Sequence, residues 1–246
     1  MSKAFLKDLL NDRKSENIFF PAIKQAWAED SALKAKNHIW SKHINPSSHW
    51  FTYDGCPYNG IKEISAPRKA SESHQVQNME VGNYIHSLFQ DWSQKIPDFL
   101  WDDRSVEFSF FHEKYAFSGR ADLILKVNNK PVLGEIKIPQ REEGFSWDSY
   151  RRILPEQTHE TQAVSCAVAI NELGLLSKPI EQVVLLYFNP GIPSKKVGFQ
   201  ECLINITEER VAKVKTLLEH SKKELDKYLA GEESYCTYPL CKEHAK

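Results

Sequence analysis

The sequence has no long hydrophobic run, and this absence excludes the simplest membrane architecture. No stretch approaches the roughly 18 consecutive apolar residues that a membrane-spanning helix needs. The first residues, MSKAFLKDLLNDRK, contain neither a long apolar core nor a cleavage site of small residues, so the sequence predicts no signal peptide. We therefore expect a cytoplasmic protein without a membrane partner.

Cysteines are few, and their number and spacing argue against a disulfide framework. The five residues are odd in number and scattered along the chain: Cys56, Cys166, Cys202, Cys236 and Cys241. Disulfide-stapled domains are usually short, secreted and built on an even set of cysteines. The pattern is typical of a reducing compartment.

Neither sign of charge is in excess. The chain has 32 basic and 33 acidic residues, which gives a formal net charge of -1. The overall field therefore offers no attraction to an anionic partner, and local patches of basic residues would have to hold one. The proportions of hydrophobic residues (41%) and charged residues (26%) are those of an ordinary globular domain.

The hydrophobic pattern predicts an α/β fold with a mixed central sheet flanked by helices and a helical N-terminal addition. The predicted elements after residue 70 are a helix at 75–94, strands at 105–113, 115–127 and 130–138, a helix at 156–173, strands at 181–189 and 197–205, and a final helix from Glu208. We divide the chain into a helical N-terminal segment (1–70), a core (71–231) and a cysteine-containing tail (232–246).

Local signals mark the faces and ends of these helices. The helix at 75–94 has apolar residues at helical spacing, which predict one buried stripe of Val81, Tyr84, Ile85, Leu88, Phe89 and Trp92. Gly174 follows the helix at 156–173 and predicts a C-terminal cap. Thr207 precedes the last helix and predicts its N-terminal cap, with acidic residues in the first turn.

The segment GRADLILKVNNKPVLGEIK, residues 119–137, places charges inside a predicted β-hairpin. An Asn-Asn pair at 128–129 suits the left-handed backbone of a tight turn. With that turn at the centre, Asp122 lies directly opposite Glu135. Lys137 shares the face of Glu135 because side chains alternate along a strand. Apolar residues form the other face: Leu123, Leu125, Ile136 and Ile138.

Two facing carboxylates repel each other, and a cation between them relieves the repulsion. Mg²⁺ or Mn²⁺ suits this position because both ions prefer oxygen ligands, and the backbone carbonyl of Ile136 is a natural third ligand. Lys137 is placed to orient a water molecule or to stabilise charge that develops on a phosphate.

A simpler interpretation of the hairpin is an exposed polar strand with ordinary ion pairs. The same register also sets Arg120 opposite Lys137. This like-charge pair is unfavourable unless an anion or a carboxylate lies nearby.

These residues resemble the PD-(D/E)XK nuclease superfamily, in particular the RecB-like exonucleases. The resemblance rests on GRADLI followed by GEIK, in which Glu135, Ile136 and Lys137 fit the (D/E)XK signature. Similar groups are the CRISPR-associated RecB-like exonucleases, the mitochondrial genome maintenance exonuclease and phage exonucleases. Upstream, GNYIH is similar to the family's helical Gly-x-x-x-His pattern, which implies that His86 is a metal ligand.

Further positions follow the order of the family. Glu107 in VEFSF matches an acidic position on the strand before Asp122. The segment HETQAVSC resembles the helical Gln-x-x-x-Tyr motif, with Gln162 as its glutamine. Position 166 is a cysteine instead of a tyrosine, so the aromatic hydroxyl of the motif is missing. His159, one turn before Gln162, is predicted to share its face.

The resemblance implies metal-dependent hydrolysis of DNA phosphodiesters, at DNA ends or in single strands, in recombination, repair or phage DNA metabolism. The implied catalytic residues are Asp122, Glu135, Lys137 and Gln162. The implied ligands of Mg²⁺ or Mn²⁺ are His86, Asp122, Glu135 and the carbonyl of Ile136. The implied supporting residues are Glu107, Arg120 and His159. A bacterial or phage-infected cytoplasm is the implied location. Two alternatives stay open: a nuclease-fold module that binds DNA or assembles without cleavage, and an unrelated metal-dependent hydrolase.

Some members of the family carry an iron–sulfur cluster, held by one cysteine near the N-terminus and three in a compact C-terminal motif. Here INPSSHWFTYDGCP supplies Cys56 and YCTYPLC supplies Cys236 and Cys241, so one cysteine of that set is missing. His244 would complete a set of three cysteines and one histidine, which suits zinc. An iron–sulfur cluster, a zinc ion and free thiols are three alternatives for these residues.

Overall fold

The computed structural model describes residues 19–36, 42–46, 58–65, 73–138, 157–188 and 199–232. The proposed cluster residues Cys56, Cys236, Cys241 and His244 lie outside these residues, so their role stays a prediction. In the described part of the chain, Cys166 and Cys202 are free thiols.

The chain divides into two compact units. One unit comprises Met1–Ile39 and Pro67–Val81, and the other comprises Trp40–Ala66 and Gly82–Lys246. Every candidate site residue discussed below belongs to the second unit. The domain boundaries predicted from the sequence stay a prediction.

The described residues form five α-helices and five strands. The helices are α1 (Phe19–Lys36), α2 (Tyr58–Ser65), α3 (Ser73–Lys95), α4 (Gln157–Glu172) and α5 (Glu208–Leu229). The strands are β1 (Val106–His112), β2 (Phe117–Val127), β3 (Lys130–Lys137), β4 (Gln182–Phe188) and β5 (Phe199–Asn205). The strands and helices predicted after residue 70 are confirmed, and the ends of the predicted strands differ by no more than two residues. A short 3-10 turn at Glu113–Tyr115 separates β1 from β2.

The five strands make one mixed sheet in the order β1-β2-β3-β4-β5. Neighbouring strands are antiparallel except for β3 and β4, which are parallel and are connected through α4. Parallel neighbours need a long crossover connection of this kind. The predicted α/β class, with a mixed central sheet flanked by helices, is confirmed.

The hairpin register is the one predicted from the turn. Asn128 and Asn129 have φ values of 50° and 59°, in the left-handed region that a two-residue hairpin turn requires. Leu123 pairs with Gly134 and Val127 pairs with Lys130. If this pairing is extended by one residue, Asp122 lies directly opposite Glu135.

Both faces of the central strands β2, β3 and β4 are largely buried, which gives these strands little freedom to slip. One face packs under α4 and α5 and includes Ile124 and Leu133 in the larger apolar cluster. The other face holds a smaller cluster of Leu123, Leu125, Val132, Ile136 and Val184, against which Phe89 of α3 packs. The predicted apolar face of the hairpin is therefore confirmed for Leu123, Leu125 and Ile136. A register slip of one residue would turn these side chains to the wrong face.

The prediction that α3 buries its whole apolar stripe was wrong. Ile85 is buried and Phe89 packs on the smaller cluster, but Tyr84 is 66% exposed and Trp92 is 50% exposed. At 100° per residue, Tyr84 lies about 100° around the helix from Ile85 and about 140° from Phe89. Trp92 lies only about 20° from Ile85, but it is two turns further along, in the last turns of α3.

The predicted helix ends are confirmed. Gly174 has a φ of 60° just beyond α4, and the Thr207 side chain accepts a hydrogen bond from the Arg210 amide at the start of α5. In the part of the chain that the structure describes, no helix combines the length and apolar character that crossing a bilayer would require.

Gly119 is fixed by close packing, and we expect Gly119→Ala to destabilise the protein by about 1–3 kcal/mol. A Cβ atom at this position would lie 2.4 Å from the ring of Phe110, which is itself buried against Phe117. The measurement is chemical unfolding with a linear fit to denaturant concentration. Gly134→Ala is the matched control in the same hairpin, because its Cβ would meet its nearest neighbour at an ordinary 3.4 Å. Equal stability of the two variants would contradict this prediction.

Candidate active site

Asp122 lies on β2, one residue before the pair of Leu123 with Gly134, and contacts both β3 and α3. Its Oδ2 accepts a hydrogen bond of 2.7 Å from the backbone N–H of Ile136, the first amide beyond Glu135. Its Oδ1 is 3.5 Å from Nδ1 of His86 on α3. The structure thus brings together residues that are 36 positions apart in the sequence, as the family pattern predicts.

Glu135, which is buried, and Lys137, which is partly exposed, form an ion pair on one face of β3. Lys137 Nζ donates a hydrogen bond of 3.0 Å to Glu135 Oε2. This contact confirms that the two side chains share a face. Glu135 is only 7% exposed, so the interpretation of this strand as an exposed polar strand with simple ion pairs is wrong.

Burial raises the pKa of Glu135 to about 7. The Lys137 charge opposes this rise in pKa, and the Asp122 carboxylate adds to it. Burial on its own would lower the pKa of Lys137, but the carboxylates of Glu135 and Asp122 outweigh burial and raise that pKa. The site therefore keeps Lys137 positively charged while it disfavours two negative charges on Asp122 and Glu135.

The predicted conflict between Arg120 and Lys137 is resolved by a carboxylate for each. Lys137 pairs with Glu135, and Arg120 forms an ion pair with Glu107 on β1. The Arg120 side chain is 66% exposed. Its charge is therefore held beside the site at the surface of the sheet.

Glu107 has an unusual backbone for a residue within a strand. Its φ is 53°, in the left-handed region that non-glycine residues seldom occupy. Val106 pairs with Leu123 and Phe108 pairs with Ala121, so Glu107 lies between them, level with Asp122. Strained backbone of this kind is concentrated at functional sites.

Gln90 is a site residue that sequence reasoning missed. Its side-chain amide donates to Glu107 Oε1, so α3 contacts both β1 and β2 at this point. The signal was present in the spacing, because Gln90 follows His86 by one helical turn and shares its side of the helix.

The α4 helix covers the face of the sheet that carries Glu135. Gln162 and Cys166, one turn apart, are 8% and 1% exposed. Burial raises the pKa of the Cys166 thiol well above its ordinary value, and the Glu135 carboxylate adds to this rise. Cys166 is therefore a neutral thiol beside the acidic site, in the position where the family motif has a tyrosine.

The second residue that sequence reasoning missed is Tyr187 on β4. Its hydroxyl lies 3.1 Å from Nδ1 of His159 in the first turn of α4. The parallel register pairs Tyr187 with Lys137. The sequence shows a strand at this position, but only the parallel pairing of β3 with β4 brings Tyr187 to the site.

The chemistry of the donor set fits a hard divalent cation. Asp122 and Glu135 offer carboxylate oxygens and His86 an imidazole nitrogen, and a cation would relieve the charge repulsion that helps to raise the Glu135 pKa. Within the described residues, no three His, Cys, Asp or Glu side chains are already arranged to hold a metal ion. Glu135 is turned to Lys137, and Asp122 to the Ile136 amide. The carbonyl of Ile136 stays a predicted ligand.

Comparison with known proteins gives a result only at the level of structure. No family model matches the chain, and no curated protein matches it by sequence. Among solved structures, SSO0001 is 16% identical, with a TM-score of 0.51 over 90% of this chain and 96% of its own. LHK-Exo, an alkaline exonuclease from Laribacter hongkongensis solved in complex with dAMP, is 12% identical, with a TM-score of 0.53 over 77% of this chain and 91% of its own. The chain shares the fold of these two solved structures, one of which is an exonuclease, and this fold is the one that the resemblance to RecB-like exonucleases implies.

The shared fold explains why the charged hairpin lies at the centre of the sheet. The β3 strand is the middle strand of five, so Glu135 and Lys137 are covered by α4 and flanked by strands on both sides. Carboxyl ends of parallel strands are the usual location of ligand sites in such sheets. Lys137 is the last residue of β3.

Proposed function

We propose that this protein is a metal-dependent deoxyribonuclease that hydrolyses phosphodiesters at DNA ends or in single strands. The observation that carries the proposal is the largely buried group of Asp122, Glu135 and Lys137 at the end of the hairpin. Two carboxylates and a lysine in a largely buried site are suited to phosphoryl chemistry. The fold supports the proposal, because a protein of the same fold is an exonuclease that binds dAMP.

The group that would hold Mg²⁺ or Mn²⁺ consists of His86, Asp122, Glu135 and the carbonyl of Ile136. When bound, such an ion supplies Lewis acidity, which polarises phosphoryl oxygens and makes water easier to deprotonate. The Ile136 amide fixes one oxygen of Asp122 at 2.7 Å and leaves the other directed towards His86. This orientation is set by the backbone of β3 before any ligand arrives.

Lys137 acts on the phosphate that is cleaved. Its ammonium group lies in a low-dielectric environment, where it stabilises negative charge developing on phosphoryl oxygens more strongly than it would in water. Glu135 holds this ammonium group at 3.0 Å and so fixes its position. Arg120, held by Glu107 at the surface, is placed to neutralise a neighbouring phosphate of the strand.

The test is incubation of end-labelled single-stranded and double-stranded DNA with the purified protein. We expect cleavage with Mg²⁺ or Mn²⁺, no cleavage in excess EDTA, and recovery when the metal is restored. Gel analysis of 5′-labelled and 3′-labelled strands reports whether products are released from ends. DNA left intact by both metals would sink the proposal. Binding in a fluorescence anisotropy assay without cleavage would instead identify a non-cleaving module of the same fold.

A further inference from the structure

His159 and Tyr187 form a contact that the proposed chemistry does not use. The imidazole Nδ1 of His159 lies 3.1 Å from the hydroxyl of Tyr187, and the two rings are tilted with their centroids 5.8 Å apart. Tyr187 is 2% exposed, whereas His159 is half-buried. The buried member of the pair is therefore the phenol, and the imidazole is only partly covered.

The pair lies at the end of the sheet that carries Lys137. Tyr187 and Lys137 are the last pair of the parallel ladder between β3 and β4, which begins at Val132 and Gln182. A helix that connects two parallel strands runs antiparallel to them, so the N-terminus of α4 lies at the carboxyl ends of β3 and β4. His159 is in that first turn, where amide N–H groups and the helix dipole favour an anion.

The contact with the Tyr187 hydroxyl is compatible with three proton arrangements of the His159 ring. When the Tyr187 hydroxyl donates to Nδ1, the neutral imidazole has its proton on Nε2. When the imidazole is protonated, both nitrogens carry protons and Nδ1 donates to the phenol oxygen. In these two arrangements Nε2 is a hydrogen-bond donor, which is what recognition of a phosphate oxygen requires. In the third, a neutral imidazole donates from Nδ1 to the phenol oxygen and Nε2 carries no proton.

We propose that Tyr187 is a positioning residue of this nuclease, which orients His159 so that its Nε2–H donates to a phosphate of the bound DNA strand. This inference rests on the proposed function. Tyr187 supplies an aromatic hydroxyl from β4 in a chain whose α4 has Cys166 in place of the tyrosine of the Gln-x-x-x-Tyr pattern.

A simpler interpretation of the same contact is that Tyr187 is a buried core residue whose hydroxyl only needs a hydrogen-bond partner. The following experiment separates this interpretation from the proposed positioning role. Tyr187→Phe removes the hydroxyl and keeps the ring. His159→Gln places a side-chain amide donor near the position of Nε2 without any need for the phenol. The two changes are made singly and together. For each protein kcat, KM and the Kd for a labelled single strand are measured.

Tyr115→Phe is the matched control, since Tyr115 is another buried tyrosine whose hydroxyl has a lysine partner, Lys114, outside the site.

We expect Tyr187→Phe to raise KM and Kd about tenfold in the wild-type background, because the proposed hydrogen bond from His159 to a charged phosphate is weakened. The change in kcat should be smaller. In the His159→Gln background the same change should have no effect on KM or Kd. Tyr115→Phe should leave both constants unchanged. Thermal unfolding of each variant shows whether any loss reflects the fold.

Two outcomes would overturn the inference alone: Tyr187→Phe with wild-type KM and Kd, or an equal loss in both backgrounds. If the wild-type protein leaves DNA intact, the proposed hydrolysis is wrong. The same cycle read in Kd then still decides whether Tyr187 acts through His159 on a bound strand.

Discussion

Asp122→Asn is expected to reduce DNA cleavage by at least about a thousandfold while the fold is preserved. Asparagine keeps the size of the side chain and one oxygen, which can still accept the 2.7 Å hydrogen bond from the Ile136 amide. It loses the negative charge, and with it the main attraction for a divalent cation between Asp122 and Glu135. It also removes a repulsion that raises the Glu135 pKa, so the melting temperature should be unchanged or higher.

The measurement is the single-turnover rate of cleavage with saturating Mg²⁺, together with thermal unfolding. Asp102→Asn is the matched control, because Asp102 also accepts a backbone N–H, from Arg104, but lies in the turn before β1. This control should cleave like the wild type. If Asp122→Asn retains more than about a tenth of the wild-type rate, Asp122 does not hold the cation that the reaction needs.

The second large effect is expected for Lys137→Met, which should lower kcat by about 100-fold to 1,000-fold. Methionine keeps most of the aliphatic volume but supplies no charge to the phosphoryl oxygens. Because Lys137 lowers the pKa of Glu135, its loss should raise that pKa further above about 7. Glu135 then becomes neutral near pH 7, so the buried carboxyl costs less stability than an unpaired charge would.

Lys130→Met provides the comparison within the same strand. Lys130 also pairs with a glutamate, Glu181, at 2.6 Å, but this pair is exposed and lies at the opposite end of β3. Exposed ion pairs contribute little, and we expect wild-type kcat for this variant. If both variants lose activity equally, the effect comes from β3 stability and not from the charge of Lys137.

The hairpin was predictable because its geometry is local. A two-residue Asn-Asn turn fixes which residues face each other, and alternation along the strand then places Lys137 beside Glu135. His86 was found through a helical pattern typical of the family. These predictions needed only spacing and the chemistry of residues near one another in the sequence.

The residues that were missed depend on pairing between distant segments. Tyr187 reaches the site because β4 lies parallel to β3, and a strand sequence does not state its neighbour. Gln90 matters because α3 packs so that one turn contacts both Glu107 and Asp122. The exposure of Tyr84 and Trp92 also depends on contacts between distant segments, because the helical pattern does not state where along α3 the sheet packs.

The Asn128-Asn129 turn has a consequence for how this protein can change over evolutionary time. A single residue inserted into the turn would shift the pairing and turn Glu135 and Lys137 away from α4, towards the smaller apolar cluster. Insertions elsewhere in surface loops are tolerated, because their entropic cost grows only slowly with length. The length of this turn is therefore inherited together with the chemistry, and a homologue with one residue more or fewer here would need a compensating bulge in β2 or β3.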